Sequence, residues 1–466
     1  MQQQSYFIER AFLGHSWAKD IRLCIDSNGL ISHLEENALA QESDHRLSIV
    51  IPGLVNCHSH SFQRAMAGLT EYQLSPTDTF WSWRKTMYHF ANLVSPEDLQ
   101  HIASYLYMEM IKHGYTSVAE FHYVHHQPDG RPYSSVSQLS QSIINAANIV
   151  GINLTLLPVL YMNADFGDQP LLDEQKRFAN SLEGYLAIYE QAARYCSAQH
   201  QHRVGLALHS LRAVPTKIIT DVINFSKSMA DSCPIHIHIA EQTKEVDQSL
   251  KVLGKRPIEW LLDSYDIDKN WCLIHATHMT KEETAQVVKS GATVGICPTT
   301  EGNLGDGFFP LQSYLDQGGY IAIGSDGNTC TNPAEELRWL EYGQRLLSRT
   351  RNIASDNEER HTGTNLYKHC LVGGARSIGQ KTGMLKLGFR ADLLVLDECS
   401  ADLSSISDDY IIDTLLFGTS KSLIKSVMIN GEWKITNFNH VNQEQIRENF
   451  VSATRALRAQ PRLAES

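Results

Sequence analysis

The sequence predicts an α/β fold: a (β/α)8 TIM-like barrel with a small β-sandwich domain built from both chain ends. Three observations lead to this prediction. Eight short apolar runs lie between residues 53 and 326, amphipathic helical patterns separate most of them, and β-hairpin patterns flank them at both chain ends. Eight strand and helix units within about 300 residues suit a barrel of this type. A doubly wound sheet would show similar alternation, but no G-x-G-x-x-G motif follows the first strand.

The candidate barrel strands are apolar runs near residues 53–60, 117–124, 153–161, 204–210, 234–241, 271–277, 293–299 and 320–326. The helical patterns between them carry start and stop signals. One helix is predicted to begin after Ser95 and to run to His113, where Gly114 ends it. Ser95 supplies an N-cap, Pro96 suits the first helical position, and acidic residues follow in the first turn.

Both ends of the chain are predicted to form β structure. Residues 20–34 alternate on either side of Asn28-Gly29, a type I′ turn signal, and residues 423–435 repeat the pattern around Asn430-Gly431. We therefore expect one small sheet domain assembled from both termini. The predicted segments are 1–52 and 386–440 for the two parts of this domain, 53–385 for the barrel, and 441–466 for a C-terminal helix.

Composition limits the partners and the location of the protein. The 466 residues include 40 Lys and Arg against 52 Asp and Glu, a formal charge of -12 that disfavours nucleic acid and anionic membranes as partners. No apolar run approaches the roughly 18 residues of a membrane span, and the N terminus lacks a secretory pattern. The nine cysteines are scattered without a C-x-x-C motif, which is typical of a reducing cytoplasm. We expect a cytoplasmic protein that acts on a small molecule.

Side chains near the ends of three predicted strands form a candidate metal site. His58 and His60 end the first strand, and alternation places both on the inner face at the barrel mouth. His236 and His238 share the inner face of the fifth strand. His238 is the better third ligand because it lies nearer the strand end, and His236 is expected to be a hydrogen-bonded histidine deeper in the barrel. Asp326 closes the apolar eighth strand, where a carboxylate is costly to bury unless it is paired or binds a cation.

This ligand set of three imidazoles and one carboxylate suits zinc or another late first-row divalent ion, and it does not separate zinc from iron. The fourth strand offers no lysine to carbamylate, so one metal ion per chain is the simpler count. Glu241 follows the fifth strand, where its carboxylate could reach a metal-bound water without being a ligand. Either His275 or His278 could face the site from the sixth strand, and His275 is favoured because it lies within the strand end.

Polar side chains that could hold a substrate are expected around the same mouth. The candidates lie at the ends of the first, second and fourth strands or in the segments that follow them, and are Gln63, Arg84, Tyr123, His209 and Arg212. Two arginines among such donors suit a substrate that carries carboxylates, because arginine binds a carboxylate through two hydrogen bonds. The Gly-rich segment 298–307 lacks the Gly-Lys-Ser/Thr of a P-loop and is expected to shape the pocket rim.

Longer strings in the chain resemble those of the amidohydrolase superfamily. Its ligand pattern is matched by His58-Ser59-His60, by His238 with Glu241 in an H-x-x-E motif, and by Asp326. Within the superfamily, the chain resembles the formimidoylglutamate deiminases, through the strings HSHSFQRAMAG (58–68), HIHIAEQ (236–242), HATH (275–278) and EELRWLEYGQRL (335–346). The likeness runs nearly end to end, although Gly327-Asn328 stands where Ser-His is more usual.

The resemblance implies a hydrolase of the C–N bond in a linear amidine, which converts N-formimino-L-glutamate to N-formyl-L-glutamate and ammonia in histidine degradation. It implies one zinc ion on His58, His60, His238 and Asp326. The proton transfers would then belong to Glu241, His275 and Asp326. The two substrate carboxylates would be held by Gln63, Arg84, Tyr123, His209 and Arg212, with the donor of each carboxylate left open.

Two alternatives stay open on the sequence alone. Another aminohydrolase of the superfamily, acting on a purine, a pyrimidine or a related heterocycle, would need stacking groups and would not need two arginines. A non-catalytic metal-binding relative is expected to have lost Glu241 or Asp326, and both are present. Barrel enzymes with sheet domains often pair, so a homodimer is expected by analogy.

Overall fold

The computed structural model describes residues 4–73, 78–197, 201–229 and 233–459. Within these ranges the strands are β1 (Gln4–Phe12), β2 (Trp17–Ile25), β3 (Ile31–Glu35), β4 (His45–Pro52), β5 (Leu54–Ser59), β6 (Tyr115–His122), β7 (Asn153–Leu160), β8 (Arg203–Val204), β9 (Leu206–Leu208), β10 (Ile235–Ile239), β11 (Trp271–His275), β12 (Thr293–Ile296), β13 (Tyr320–Ile323), β14 (Leu393–Leu396), β15 (Ile424–Ile429), β16 (Glu432–Thr436) and β17 (Asn439–His440).

The α helices of the same ranges are α1 (Phe80–Leu93), α2 (Pro96–Lys112), α3 (Gln138–Val150), α4 (Leu182–Ser197), α5 (Thr216–Lys227), α6 (Thr243–Leu253), α7 (Pro257–Ser264), α8 (Lys281–Ser290), α9 (Pro298–Leu304), α10 (Leu311–Leu315), α11 (Pro333–Ser348), α12 (Thr362–Ile378), α13 (Ile411–Asp413) and α14 (Gln443–Arg458). Other short helical turns cover Ser61–Met66, Asp173–Phe178, Ala401–Leu403, Asp408–Tyr410 and Thr414–Gly418. Over the described ranges, none of these helices has both the length and the apolar character that a bilayer crossing requires.

Strands β5 to β13 close into a parallel barrel. They follow chain order around it, and β13 returns to β5 where Ile323 pairs with Asn56. β8 and β9 share one position, because both pair with β7 and only Gly205 separates them. A Cβ at Gly205 would lie 2.7 Å from the Leu157 side chain, so the chain approaches its neighbour too closely there for another residue. The predicted barrel is confirmed, with a fourth strand interrupted at a glycine.

A second sheet joins the two ends of the chain. Its strand order is β17-β16-β15-β14-β4-β1-β2-β3, so β14 from the C-terminal part pairs with β4 from the N-terminal part. Five fully buried side chains in its core come from both parts: Ile8, Ile21, Val50, Leu393 and Met428. The expected small β domain from both chain ends is confirmed. The residue boundaries of the four segments stay a prediction.

The two hairpin turns of this domain differ from each other. Asn430 and Gly431 both have positive φ, 50° and 76°, as a type I′ turn requires. At the other hairpin only Gly29 has positive φ, and the Asp26 carboxylate accepts the backbone N–H groups of Asn28 and Leu30 at 2.8 and 2.9 Å. The type I′ prediction at Asn28 is therefore wrong, because the Asp26 side chain stabilises a different loop.

Helix α2 is capped at its N terminus and packs against α14. At the start of α2, Ser95 Oγ accepts the Asp98 N–H at 3.1 Å, and the Asp98 carboxylate accepts the Ser95 N–H at 3.2 Å. This reciprocal capping places the helix where the sequence predicted it. The rings of Tyr105 on α2 and Phe450 on α14 stack 4.1 Å apart. α14 is the predicted C-terminal helix, and its expected continuation beyond residue 459 lies outside the described residues.

Candidate active site

Four side chains meet at the carboxyl ends of barrel strands β5, β10 and β13. His58, His60, His238 and Asp326 are each at most 8% exposed. The Nε2 atoms of His58 and His238 lie 2.9 Å apart, and Asp326 Oδ1 lies 3.3 Å from His58 Nε2 and 3.2 Å from His60 Nε2. The parallel strands bring the four residues together because their carboxyl ends all open at one end of the barrel.

The protonation of these histidines fits a cation site. Burial lowers the pKa of His58 to about 3 and that of His238 well below its usual value, so both imidazoles are neutral. His60 Nδ1 donates to the Phe121 carbonyl oxygen at 2.8 Å, so Nε2 is the ring nitrogen that faces Asp326. His58 Nε2 thus lies close both to His238 and to the Asp326 carboxylate that also meets His60, and three imidazoles with one carboxylate form a donor set that suits a divalent metal ion. The cluster is a candidate metal centre.

Glu241 and His275 lie beside the candidate metal centre. His275 Nε2 is 3.8 Å from Glu241 Oε1 and 3.9 Å from Asp326 Oδ2. Burial raises the pKa of Glu241 to about 6, and the nearby Asp326 carboxylate adds to the rise while His275 opposes it. Burial alone would lower the pKa of His275, but the surrounding carboxylates outweigh it and raise the value to about 10. A carboxylic acid with a pKa near neutrality suits acid and base steps.

Unusual backbone conformations aim these side chains. Ala240, His275, Ala276 and Asp326 have φ values of 54°, 70°, 48° and 42°, in a region that few residues other than glycine adopt. All four lie where a strand gives way to a loop at the barrel mouth. Such outliers concentrate at functional sites, where the surrounding contacts hold them in place.

The loop after β13 is held by the Asn328 side chain. Its Nδ2 donates to the His60 carbonyl oxygen at 2.9 Å, and its Oδ1 accepts the Ser325 hydroxyl at 2.5 Å. Gly327 N donates to Thr300 Oγ1 at 3.2 Å. Gly327-Asn328 thus connects the backbone around Asp326 to the segment that carries His60.

The predicted substrate-binding residues line the same pocket as the candidate metal centre. These residues are Gln63, Arg84, Tyr123, His209 and Arg212. Gln63 Nε2 donates to the Tyr123 hydroxyl at 3.0 Å, and an Arg84 guanidinium nitrogen donates to the Tyr161 hydroxyl at 3.2 Å. Arg212 Nε is buried without a hydrogen-bond partner among the described residues. The pocket therefore offers two guanidinium groups and several further polar side chains to a ligand.

Two histidines that the sequence analysis weighed lie apart from this pocket. His236 Nε2 is 2.8 Å from the Ser377 carbonyl oxygen, which fits a hydrogen-bonded histidine inside the barrel. His278 is not among the residues that line the pocket, whereas His275 is. The pocket also includes aromatic and apolar side chains that the sequence did not single out as substrate-binding residues, namely Phe80, Trp83, Met87, Tyr88, Tyr161, Phe178 and Leu304.

Comparison with known proteins assigns the chain to a protein family. Residues 49–434 match the Amidohydrolase family, and the chain belongs to this family. A formimidoylglutamate deiminase of Pseudomonas aeruginosa is 45% identical to it over 445 residues, which cover 96% of this chain and 97% of the relative. A 5-methylthioadenosine/S-adenosylhomocysteine deaminase of Natronomonas pharaonis is 23% identical over 384 residues, covering 82% and 80%.

Solved structures agree with this assignment. The crystal structure of an amidohydrolase from Brucella melitensis superposes with a TM-score of 0.93 at 38% identity, over 98% of this chain and all of that one. An adenosine deaminase from Xanthomonas campestris, solved with bound zinc, has a TM-score of 0.81 at 18% identity, over 98% and 99% of the chains, and shares the fold. The resemblance that the sequence motifs indicate is confirmed.

Proposed function

We propose that this protein hydrolyses N-formimino-L-glutamate to N-formyl-L-glutamate and ammonia. The observation that carries the proposal is a single pocket that combines a candidate metal centre, an adjacent acid at Glu241, and the guanidinium groups of Arg84 and Arg212. A cationic formimino group fits beside carboxylates, and two carboxylates fit beside arginines. The 45% identity to a formimidoylglutamate deiminase over nearly the whole chain supports the same reaction.

The metal we propose is one zinc ion per chain, held by His58, His60, His238 and Asp326. The neutral imidazoles and the buried carboxylate described above are suited to it. Zinc bound in such a site lowers the pKa of water from about 15.7 toward about 7, which makes hydroxide available at neutral pH.

Three side chains of the protein handle the protons. Water adds to the formimino carbon through a new C–O bond, and Asp326, with His275 beside it, accepts the proton that the water loses. Glu241 then takes the remaining proton from the added oxygen and delivers it to the terminal nitrogen as the C–N bond to this carbon breaks, so the oxygen becomes a carbonyl and ammonia departs. The same carbon remains as the formyl group, so one water is consumed and one ammonia is released.

The substrate carboxylates are proposed to bind Gln63, Arg84, Tyr123, His209 and Arg212. Burial lowers the pKa of His209 well below its usual value, and the adjacent arginines reinforce this, so the imidazole is a neutral hydrogen-bonding group. The aromatic contacts of Arg84 with Tyr88 and Trp81, at 5.0 and 5.4 Å from the ring centroids, hold its guanidinium in place. This arrangement orients the substrate before the chemical step.

A substrate panel tests the proposal. Ammonia release is measured for the purified, metal-analysed protein with N-formimino-L-glutamate, N-formimino-L-aspartate and guanine. We expect fast release from the glutamate derivative alone, because the pocket must match the spacing of both carboxylates. Release from guanine in its place would favour a heterocycle aminohydrolase, and a metal-bound protein silent on the whole panel would contradict the proposed substrate.

We further propose that two copies pair through an apolar face of α11. Four residues of this helix are substantially exposed, namely Trp339 (52%), Tyr342 (40%), Leu346 (77%) and Leu347 (62%), and Phe308 (53%), from the segment between α9 and α10, lies against Gly343 of the same helix. Together they expose roughly 500 Å² per copy, most of the roughly 800 Å² that a standard interface buries per partner. Sedimentation should show a dimer that Leu346→Glu dissociates and that the exposed control Leu39→Glu leaves intact. A monomeric wild-type protein would contradict the pairing.

The location we propose is the cytoplasm. The nine cysteines are all free thiols in the described structure, and eight of them are buried or partly buried. A reducing compartment is consistent with this cysteine usage. Fractionation of the source cells with an antibody against the protein tests the location, and recovery outside the cytoplasmic fraction would contradict it.

A further inference from the structure

Glu301 is a buried carboxylate next to the candidate active site. It has no part in the proton transfers of the proposed reaction. It lies on α9, in the segment after β12, and is 4% exposed. Its Oε1 atom is 3.2 Å from His275 Nδ1 and accepts the Cys297 N–H at 2.8 Å. The carboxylate therefore contacts the Nδ1 edge of the imidazole ring, whereas Nε2 lies nearer Glu241 and Asp326.

The backbone around Glu301 fixes where this carboxylate lies. Glu301 N donates to the Cys297 carbonyl oxygen at 2.9 Å, and the Glu301 carbonyl oxygen accepts the Asp306 N–H at 2.9 Å. α9 ends at Gly305, whose φ of 70° closes the helix. Hydrogen bonds therefore fix both the backbone N–H and the backbone carbonyl of Glu301, and the Cys297 N–H fixes its carboxylate.

His275 depends on such a support for its orientation. Its φ of 70° takes it out of regular strand geometry, so the alternation of β11 does not set the direction of its ring. The contact from Nδ1 to the Glu301 carboxylate requires a proton on Nδ1. With Nδ1 bound there, the other ring nitrogen, Nε2, is directed at Glu241 and Asp326, 3.8 and 3.9 Å away.

We propose that Glu301 is a positioning residue for the hydrolysis: it accepts the Nδ1–H of His275 and so holds Nε2 toward the groups that exchange protons during the reaction. The inference rests on the proposed function for its kinetic consequence. A carboxylate that accepts from one ring nitrogen in this way fixes the orientation of an active-site imidazole. Glu301 itself makes no contact with the substrate pocket and takes no proton from the substrate.

Two substitutions at this position and one control test the role. Glu301→Ala removes both contacts of Oε1. Glu301→Gln retains an oxygen that can accept from both donors, because Cys297 N–H and His275 Nδ1–H share the same acceptor atom. The control is Glu336→Gln: Glu336 is equally buried and accepts the Thr299 N–H and hydroxyl at 2.9 and 2.6 Å, so it anchors the same helix without touching His275.

For Glu301→Ala we expect kcat for N-formimino-L-glutamate to fall by about 100-fold, with KM and metal content near the wild-type values. Glu301→Gln should recover most of the loss, and Glu336→Gln should keep the wild-type kcat. A kcat for Glu301→Ala within a few-fold of wild type would overturn the proposal. Equal losses in Glu301→Ala and Glu336→Gln would also overturn it, since both would then report only the anchoring of α9.

A measurement without substrate separates this inference from the proposed function. The Nδ1–H proton of His275 should give a downfield proton NMR signal, assigned by its absence in His275→Gln. Glu301→Ala should remove or strongly shift this signal, while Glu301→Gln and Glu336→Gln should retain it. An unchanged signal in Glu301→Ala would contradict the contact even if the enzyme were active, and a lost signal would support it even if N-formimino-L-glutamate were not the substrate.

Discussion

Replacing Arg212 by methionine tests the carboxylate pocket most sharply. Arg212 is 6% exposed, and its Nε has no partner among the described residues, so the substrate itself is the partner we propose. A hydrogen bond to a charged group contributes about 1.5–3 kcal/mol, and a two-bond contact therefore about 3–6 kcal/mol. At 1.4 kcal/mol for each factor of ten, kcat/KM should fall roughly 10²–10⁴-fold.

The loss should appear mainly in KM, because Arg212 holds a part of the substrate that does not react. Steady-state ammonia release measures both constants, and Arg131→Met, which removes an exposed arginine paired with Asp129, is the matched control. Metal content should stay at the wild-type value in both variants. An unchanged KM in Arg212→Met would remove this residue from the carboxylate pocket.

Two shortened substrates then assign the carboxylate that Arg212 binds. N-formimino-4-aminobutyrate lacks the α-carboxylate, and N-formimino-2-aminobutyrate lacks the γ-carboxylate. The analogue that lacks the partner of Arg212 should be processed equally well by wild type and Arg212→Met, whereas the other should still show the full loss. Equal sensitivity to both analogues would mean that Arg212 acts on the pocket as a whole and contacts neither carboxylate directly.

Three further outcomes are expected. Asp326→Asn should abolish turnover, because it removes a proposed ligand and proton acceptor, and substantial residual kcat would contradict that role. Glu241→Gln should lower kcat about 10²–10⁴-fold, the range for a general acid or base, while metal analysis still finds zinc; loss of the metal would instead make Glu241 a ligand. Burial raises the pKa of Glu336 to about 8 from 4.5, so the folded state keeps a proton that the unfolded chain releases, and stability should fall as pH rises from 4.5 to 8. Thermal melts should show a smaller decline in Glu336→Gln, and parallel curves would contradict the buried neutral acid.

Local pattern was sufficient to predict the barrel and much of the candidate site. His58 and His60 share a face because a strand alternates, and Asp326 stands out because it closes an apolar strand. The choice between His275 and His278 depended on the chain turning at His275 and Ala276, where φ is positive. A sequence pattern carries no direct record of such a turn, so the strand-end argument favoured His275 without showing which way its ring points.

Long-range packing accounts for what the sequence did not indicate. Glu301 meets His275 only because α9 folds back against β11, and segment 298–307 showed no more than a Gly-rich rim. Tyr161 and Phe178 come into the pocket from different parts of the chain. The loop at Asn28 is a local exception, because the Asp26 side chain two residues earlier stabilises a different loop from the one that the Asn-Gly turn signal predicts. In each case the deciding contact joins residues whose pairing the one-dimensional pattern does not show.

Zinc dependence of ammonia release from N-formimino-L-glutamate tests the central claim most directly. The protein is stripped with a chelator, and the rate is followed as zinc is returned in known equivalents. The account predicts an inactive stripped protein whose activity rises linearly and reaches its plateau at one zinc per chain, with His238→Ala failing to recover. Full activity in the stripped protein, or one bound zinc per chain without ammonia release, would contradict it.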